Sequence, residues 1–388
     1  MALWPLIAVL GGAGFAPLTG LAAILTAGVS LPRFRPRLYS AAILAFFVLA
    51  AISVSWSPFQ TPLLDFANGA AVNEVPRIGL LILAAGGLIG AAQVLTAARA
   101  RLVGRITLIA LLAQVVIVVV LTVFERQAIE FFYPGRPDDE GVQNISRNCL
   151  LMAAAFPFLA IALMEGRNRT VGLLAVVLIL AAEIAVLVHR GVHAGLLAIM
   201  AAAICYAIVR LAPRNGFRII GGLIALVIIS APFVFTYIAA GVTGSAATNS
   251  IDYRQAIWTR VLEIIRENPF LGQGVGALRS YRELIPEGQF AGELLIPNHP
   301  HNMALQLWAE LGLAGAAVLS VAVLLVAFRL PKPAQLGSVA PRIAMLAGGA
   351  LAISVVSFDL WNAGWWGAAS LLAMLCAVHA RTLANGKG

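Results

Sequence analysis

Charge is what this chain has least of: Asp, Glu, Lys and Arg together make up 11% of its 388 residues. A soluble globular domain carries about a quarter of its residues as charged groups, so that class is excluded. Cysteine is nearly missing. Cys149, Cys205 and Cys376 all fall in apolar stretches, so no disulfide framework or Cys-based metal site follows, and they read as small packing residues. Met1 is followed by neither a basic n-region nor a small-residue cleavage site, so the first apolar stretch is expected to be retained.

Hydrophobic residues supply 61% of the chain, and the mean hydropathy is +0.93. Apolar runs of about 20 residues, enough to cross a bilayer, recur throughout. They lie near 39–57, 76–98, 105–124, 147–164, 170–188, 193–210, 218–240, 303–328, 342–360 and 364–380. Residues 3–31 suit either one long tilted helix or a short hairpin broken at Gly11, Gly12, Gly14 and Pro17. The expected fold is all-α and polytopic, with 11 or 12 transmembrane helices, 12 favoured, both termini cytoplasmic, and residues 1–388 forming one domain.

The net charge of +9 raises a nucleic-acid reading, which the charge distribution refutes. Cations cluster in short loops: Arg33, Arg35 and Arg37; Arg99, Arg101 and Arg105; Arg167 and Arg169; Arg210, Arg214 and Arg218; Arg329, Lys332 and Arg342; Arg381 and Lys387. They share their side with one acid, Glu165, which is positive-inside asymmetry and assigns those loops to the cytoplasm. The opposite side holds the long loop 241–302, and a loop of about 60 residues in an otherwise economical chain is a functional signal.

Within that loop, Asp252–Glu267 reads as a helix ended by Asn268-Pro269, followed by Gly272, Gly274 and Gly276. Ile257, Trp258, Val261, Leu262, Ile264 and Ile265 form one apolar face, and Arg254 projects into the middle of it. The alternative is that Arg254 snorkels to water at the helix start. The glycine run follows a helix and lacks a βαβ context, so it is no dinucleotide fingerprint.

The loop ends in Asn298-His-Pro-His-Asn302 at the mouth of an apolar helix, in a chain with five histidines. Ionisable groups beside hydrocarbon are costly and point to function. The bland alternative is that His299 and His301 anchor a helix end at the headgroups. Pro300 fits the first helical position, which places His301 in the first turn, where the helix dipole favours neutral imidazole. The exposed N–H groups of that turn would then be available to an anion.

Four pieces taken in order resemble the O-antigen ligase and polymerase family of bacterial membrane glycosyltransferases. They are His189-Arg190-Gly191, Tyr253-Arg254 with Trp258, Glu267 to Gly276, and His299 to Asn302 followed by Glu310-Leu-Gly-Leu-Ala-Gly315. The family turn usually reads Ser-Arg-Gly-Ala, where this chain has His189 and Val192. The resemblance implies transfer of a glycan from undecaprenyl pyrophosphate to an acceptor hydroxyl at the periplasmic face of the inner membrane. In the ligase branch, which is favoured, the acceptor is the lipid A–core oligosaccharide. In the polymerase branch it is another carrier-linked repeat.

A departing lipid pyrophosphate needs fixed positive charge, which arginine supplies as a planar fork. Arg254 and Arg190 are therefore the expected counter-charges and His301 the expected general base. His299, Asn302, Arg147, Arg77 and Trp258 form a second rank of substrate contacts. No metal and no cofactor is expected: His189 with His193 and His299 with His301 lack accompanying acids, and nearby guanidiniums repel a cation. Glu183 and Asp359, acids in or near spans, support a transporter as the reading from another class, but two scattered acids fall short of a pathway. Glu183 lies seven residues before Arg190, on about the same helix face, so an ion pair between them is expected. Phe131, Phe132, Tyr133, Trp258 and Leu294 to Ile296 are apolar elements expected near a lipid-anchored acceptor.

Overall fold

The structure, a computed structural model, describes residues 1–30, 38–59, 74–135, 138–166, 168–239, 250–285 and 291–384. The basic loop 31–37 and Arg167 therefore lie outside the described residues, as does most of the loop between the first two long spans. The chain forms α1 (Trp4–Val9), α2 (Phe15–Ser30), α3 (Leu38–Ser53), α4 (Glu74–Ala92) and α5 (Ala97–Val123). It continues with α6 (Glu125–Phe132), α7 (Asp138–Met164), α8 (Arg169–His189), α9 (His193–Leu211) and α10 (Gly216–Ala239). The last five helices are α11 (Ser250–Glu267), α12 (Met303–Arg329), α13 (Pro333–Leu336), α14 (Val339–Val356) and α15 (Ala363–Ala384). No strand occurs among the described residues, only an antiparallel bridge between Leu284 and Leu294.

Ten helices among the described residues are long and apolar enough to cross a membrane, and they coincide with the ten spans read from the sequence. Residues 3–31 do break at the glycines: Gly11 and Gly12 have φ of 72° and 83°. The limbs are unequal, 6 and 16 residues. At 1.5 Å per residue the first reaches about 9 Å and cannot cross, so this segment supplies one near-spanning helix rather than the favoured two.

Chain alternation puts the ends of α3, α5, α8, α10 and α14 at one face, with the starts of α4, α7, α9, α12 and α15. At the other face Arg342 donates to Glu165, at 2.7 Å for its shorter contact, and His379 stands 3.6 Å from the same carboxylate. Burial pushes Glu165 up, but the Arg342 hydrogen bond and charge outweigh it and hold the carboxyl below its ordinary value.

The feature that positions everything else is a break in α12. Gly312 has φ 59° and ψ −160° inside what the hydropathy reads as one helix. The residues after α11 enter that break. The carbonyls of Ala309 and Glu310 accept from Gln273 and Gly274 N–H at 2.8 and 2.9 Å, while Leu313 and Ala314 N–H donate to Pro269 and Phe270 carbonyls at 2.9 and 3.0 Å. Four backbone groups freed by the break thus find four partners on the loop. Irregular backbone is tolerated within an apolar bundle only when protein surrounds it, and Met303 through Gly312 are all buried. The Asn-Pro-Phe-Leu-Gly and Glu-Leu-Gly-Leu-Ala-Gly motifs are two halves of one junction.

Candidate active site

The junction fixes the start of α12 and the loop leading to it. Trp258, on the buried face of α11, packs edge-on against Phe235 with ring centroids 4.9 Å apart. Its indole N–H donates to the Pro300 carbonyl at 2.9 Å. Trp258 is only 8% exposed, so that bond holds the histidine loop in place and little of the ring is left open to the substrate expected there from sequence.

His301 is not in the first turn of α12. The helix begins at Met303, and Asn302 is its N-cap, accepting from Ala304 and Leu305 N–H, both at 3.0 Å. Asn302 outcompetes Pro300 for the start because its side chain satisfies two orphan donors. Those two N–H groups are occupied and Asn302 is fully buried, so neither is open to an anion in this arrangement. His301 has φ 51°, the only positive value at a non-glycine among the described residues. Holding an L residue there costs about 1–2 kcal/mol, and such strain gathers at functional sites.

His301 and His299 meet edge to face with ring centroids 4.3 Å apart. His301 Nδ1 lies 3.3 Å from the Ser357 carbonyl. A carbonyl only accepts, so Nδ1 carries the proton and Nε2 keeps its lone pair. Burial pushes the His301 imidazole down to about 3, helped by the charges of His299, Arg254 and Arg147 and opposed by the Ser357 hydrogen bond. His299 is lowered as well, chiefly by burial, against the charge of Asp359. Neutral imidazole was expected; its cause is burial rather than the helix dipole.

Three arginines bear on this pair. Arg254, on α11, is half-buried, and no carboxylate among the described residues pairs with it. Burial lowers its pKa, yet a guanidinium remains charged. Arg147, on α7, donates to Asn144 at 3.1 Å, and its charge reaches both histidines. Arg279, which the sequence reading missed, reaches His299 and lies over the Phe59 ring, 5.7 Å from its centroid. The signal available for it was the first cation after the glycine run, three residues past Gly276.

Arg190 is engaged elsewhere. It caps the end of α8, so its side chain leaves the α8 face and meets Glu125 of α6 at 2.6 Å and the Val142 carbonyl at 3.4 Å. The expected Glu183–Arg190 pair does not form for that reason. Both Glu183 carboxylate oxygens are buried without a hydrogen-bond partner among the described residues. Arg77 is likewise matched, donating to both Glu74 oxygens at 2.9 and 3.1 Å.

Asp359 braces the site from below. Gln306 Nε2 and Trp361 N–H donate to its Oδ1 at 2.7 and 2.9 Å, and Arg279 stands 3.8 Å from Oδ2. Gln306 also accepts from Leu360 N–H at 2.8 Å, and the Trp361 indole donates to Glu310 at 2.6 Å. This network locks the first limb of α12 to the α14–α15 connection, which carries Ser357. Among the described residues no three His, Cys, Asp or Glu side chains converge as a ligand set, and His189 and His193 are exposed in their turn. Of the outer apolar elements, Phe131 and Phe132 are exposed, whereas Tyr133, Trp258 and Ile296 are buried in the protein.

An arginine with no carboxylate partner among the described residues, two flanking cations and a neutral histidine at the mouth of a broken helix suit an anionic leaving group and a hydroxyl to be deprotonated. The family model described as O-Antigen ligase matches residues 174–320, from the second turn of α8 through the break in α12. No curated protein matches the chain.

Proposed function

With an O-antigen ligase family domain over residues 174–320 as the premise, we propose that this multi-pass membrane protein moves a glycan from undecaprenyl pyrophosphate to lipid A–core oligosaccharide. The reaction takes place at the periplasmic face of the inner membrane. The observation that carries this reading is the half-buried Arg254 with no carboxylate among the described residues to neutralise it, beside a neutral His301.

In the reaction, His301 Nε2 accepts the proton of the acceptor hydroxyl as its oxygen attacks the anomeric carbon. The bond from that carbon to the phosphate oxygen breaks, and undecaprenyl pyrophosphate leaves with the electron pair. Arg254, Arg147 and Arg279 stabilise the charge that collects on the departing oxygens, which is where preorganised cations act most strongly. Arg190, matched by Glu125, holds α6 and α7 against the end of α8. A carrier-linked repeat as acceptor would give a polymerase with the same donor chemistry.

Two measurements test this reading. Purified protein given donor, acceptor and EDTA is expected to transfer glycan without ATP, and an absolute need for ATP or a divalent metal would end the mechanism. The second is the pH profile. The value of kcat/KM reports the free enzyme. His301 stays neutral until pH approaches about 3, so no acid limb with a midpoint at the ordinary histidine value of 6.5 is expected. A limb at that midpoint, lost in His301→Gln, would show that the imidazole titrates as if exposed.

A further inference from the structure

An apolar groove runs between the last turns of α3 and the first turns of α4. Phe47, Val48 and Ala51 line it from one side, Val75, Pro76 and Gly79 from the other, and its volume is about 190 Å3. Val48 is 46% exposed and Val75 only 2%, so the groove opens to the surroundings and closes toward the core. A dry cavity of about 150 Å3 takes up benzene, so this groove accepts a single branched hydrocarbon segment and not the several acyl chains of a lipid A.

The upper end of the groove is tied to the histidine site by the glycine loop. Val275 N–H donates to the Ser53 hydroxyl at 3.1 Å, which anchors the end of α3. Four residues later comes Arg279, stacked on Phe59, with its charge reaching both Glu74 at the start of α4 and His299. Glu74 is matched by Arg77, and Asp359, bound by Gln306 and Trp361, stands 3.8 Å from Arg279, whose charge links this end of the groove to the histidines that Arg147 and Arg254 also reach. That pairing of charge and hydrocarbon complements a prenyl chain joined to a pyrophosphate.

We propose that the α3–α4 groove seats the pyrophosphate-proximal isoprene units of the lipid-linked donor, and so sets the depth at which its phosphates meet the arginines. This rests on the donor class of the proposed function. Gly79 is the natural place to test it. A Cβ there meets the Phe47 ring at 3.6 Å, an ordinary contact, so a larger side chain grows into the apolar groove that Phe47 lines. Gly86 lies two turns further along α4 with nothing within 4 Å of a Cβ, and it serves as the control.

The full-length protein in nanodiscs is assayed with donors carrying the full polyprenyl chain or, as the short-chain donor, a methyl group in place of every isoprene unit. Gly79→Leu is expected to raise KM for the long-chain donor about 10-fold, the equivalent of one or two lost methylene contacts. It should leave the short-chain KM and both kcat values unchanged, with Gly86→Leu like wild type. A polyprenyl phosphate with a diazirine on its second isoprene unit is expected to label the wild-type peptides around Phe47 to Ala51. Gly79→Leu should abolish that labelling.

Unchanged long-chain KM in Gly79→Leu, labelling elsewhere, or equal labelling of α3 by a photoreactive phospholipid would each overturn the groove assignment. Absence of transfer by wild type from any polyprenyl donor overturns the proposed function instead. The labelling needs no turnover, so it reads the groove separately, and it does so even if Gly79→Leu folds poorly.

Discussion

His301→Ala is expected to lower transfer about 100- to 10,000-fold, the range a positioned general base supplies. Arg254→Ala is expected to cost about 100- to 1,000-fold, the range seen for losing one donor to a developing anion. Ser357 fixes the His301 tautomer, and no carboxylate among the described residues shares Arg254. Single-turnover transfer by purified protein, with thermal unfolding measured in parallel, separates loss of chemistry from loss of fold. Arg254→Lys should recover only part of the rate, because an ammonium lacks the planar fork that meets two phosphate oxygens. Transfer at the wild-type rate in His301→Ala would return that residue to the role of a helix-end anchor. Arg190→Ala is expected to behave differently, reducing folded yield first, since it strands Glu125 beside the Val142 turn.

The second large effect concerns folding. Gly312→Ala is expected to destabilise the protein by about 3 kcal/mol or more, combining a backbone conformation open only to glycine with overpacking. Its φ of 59° with ψ near −160° disfavours any side chain, and a Cβ would stand 2.5 Å from the Phe270 carbonyl oxygen. The clash is with backbone, which cannot swing aside. Gly222, on α10 with nothing within 4 Å of a Cβ, is the comparison. Gly222→Ala should be neutral or stabilising, as expected when glycine is replaced within a helix. Matching thermal midpoints for the two variants would mean that α12 heals its break.

The ten spans were legible because bilayer thickness acts on composition alone, and α11 because a helix period needs only its own residues. The same locality limits the reading. Pro300 and Asn302 each satisfy a helix-start rule two residues apart; Asn302 caps α12, and Pro300 stays in the loop, its carbonyl taken by Trp258 from 42 positions away. Glycine at 312 reads as a tolerated helix residue until the loop from Pro269 arrives to bond the freed amides. Arg190 looked available because Glu125, 65 positions earlier, gives no local sign of pairing with it. Rare ionisable groups told where chemistry is concentrated. Which of them remain unneutralised is a long-range property.

The loop that fills the break in α12 separates crossing a membrane from being folded. Residues 303–329 are long and apolar enough to cross as one continuous helix. Gly312 lies nine positions beyond Met303, about 14 Å down the helix at 1.5 Å per residue. The loop must reach that depth to bond the carbonyls of Ala309 and Glu310 and the amides of Leu313 and Ala314. A chain with the right number of crossings but an unbroken α12 would therefore lack the junction that fixes the start of that helix.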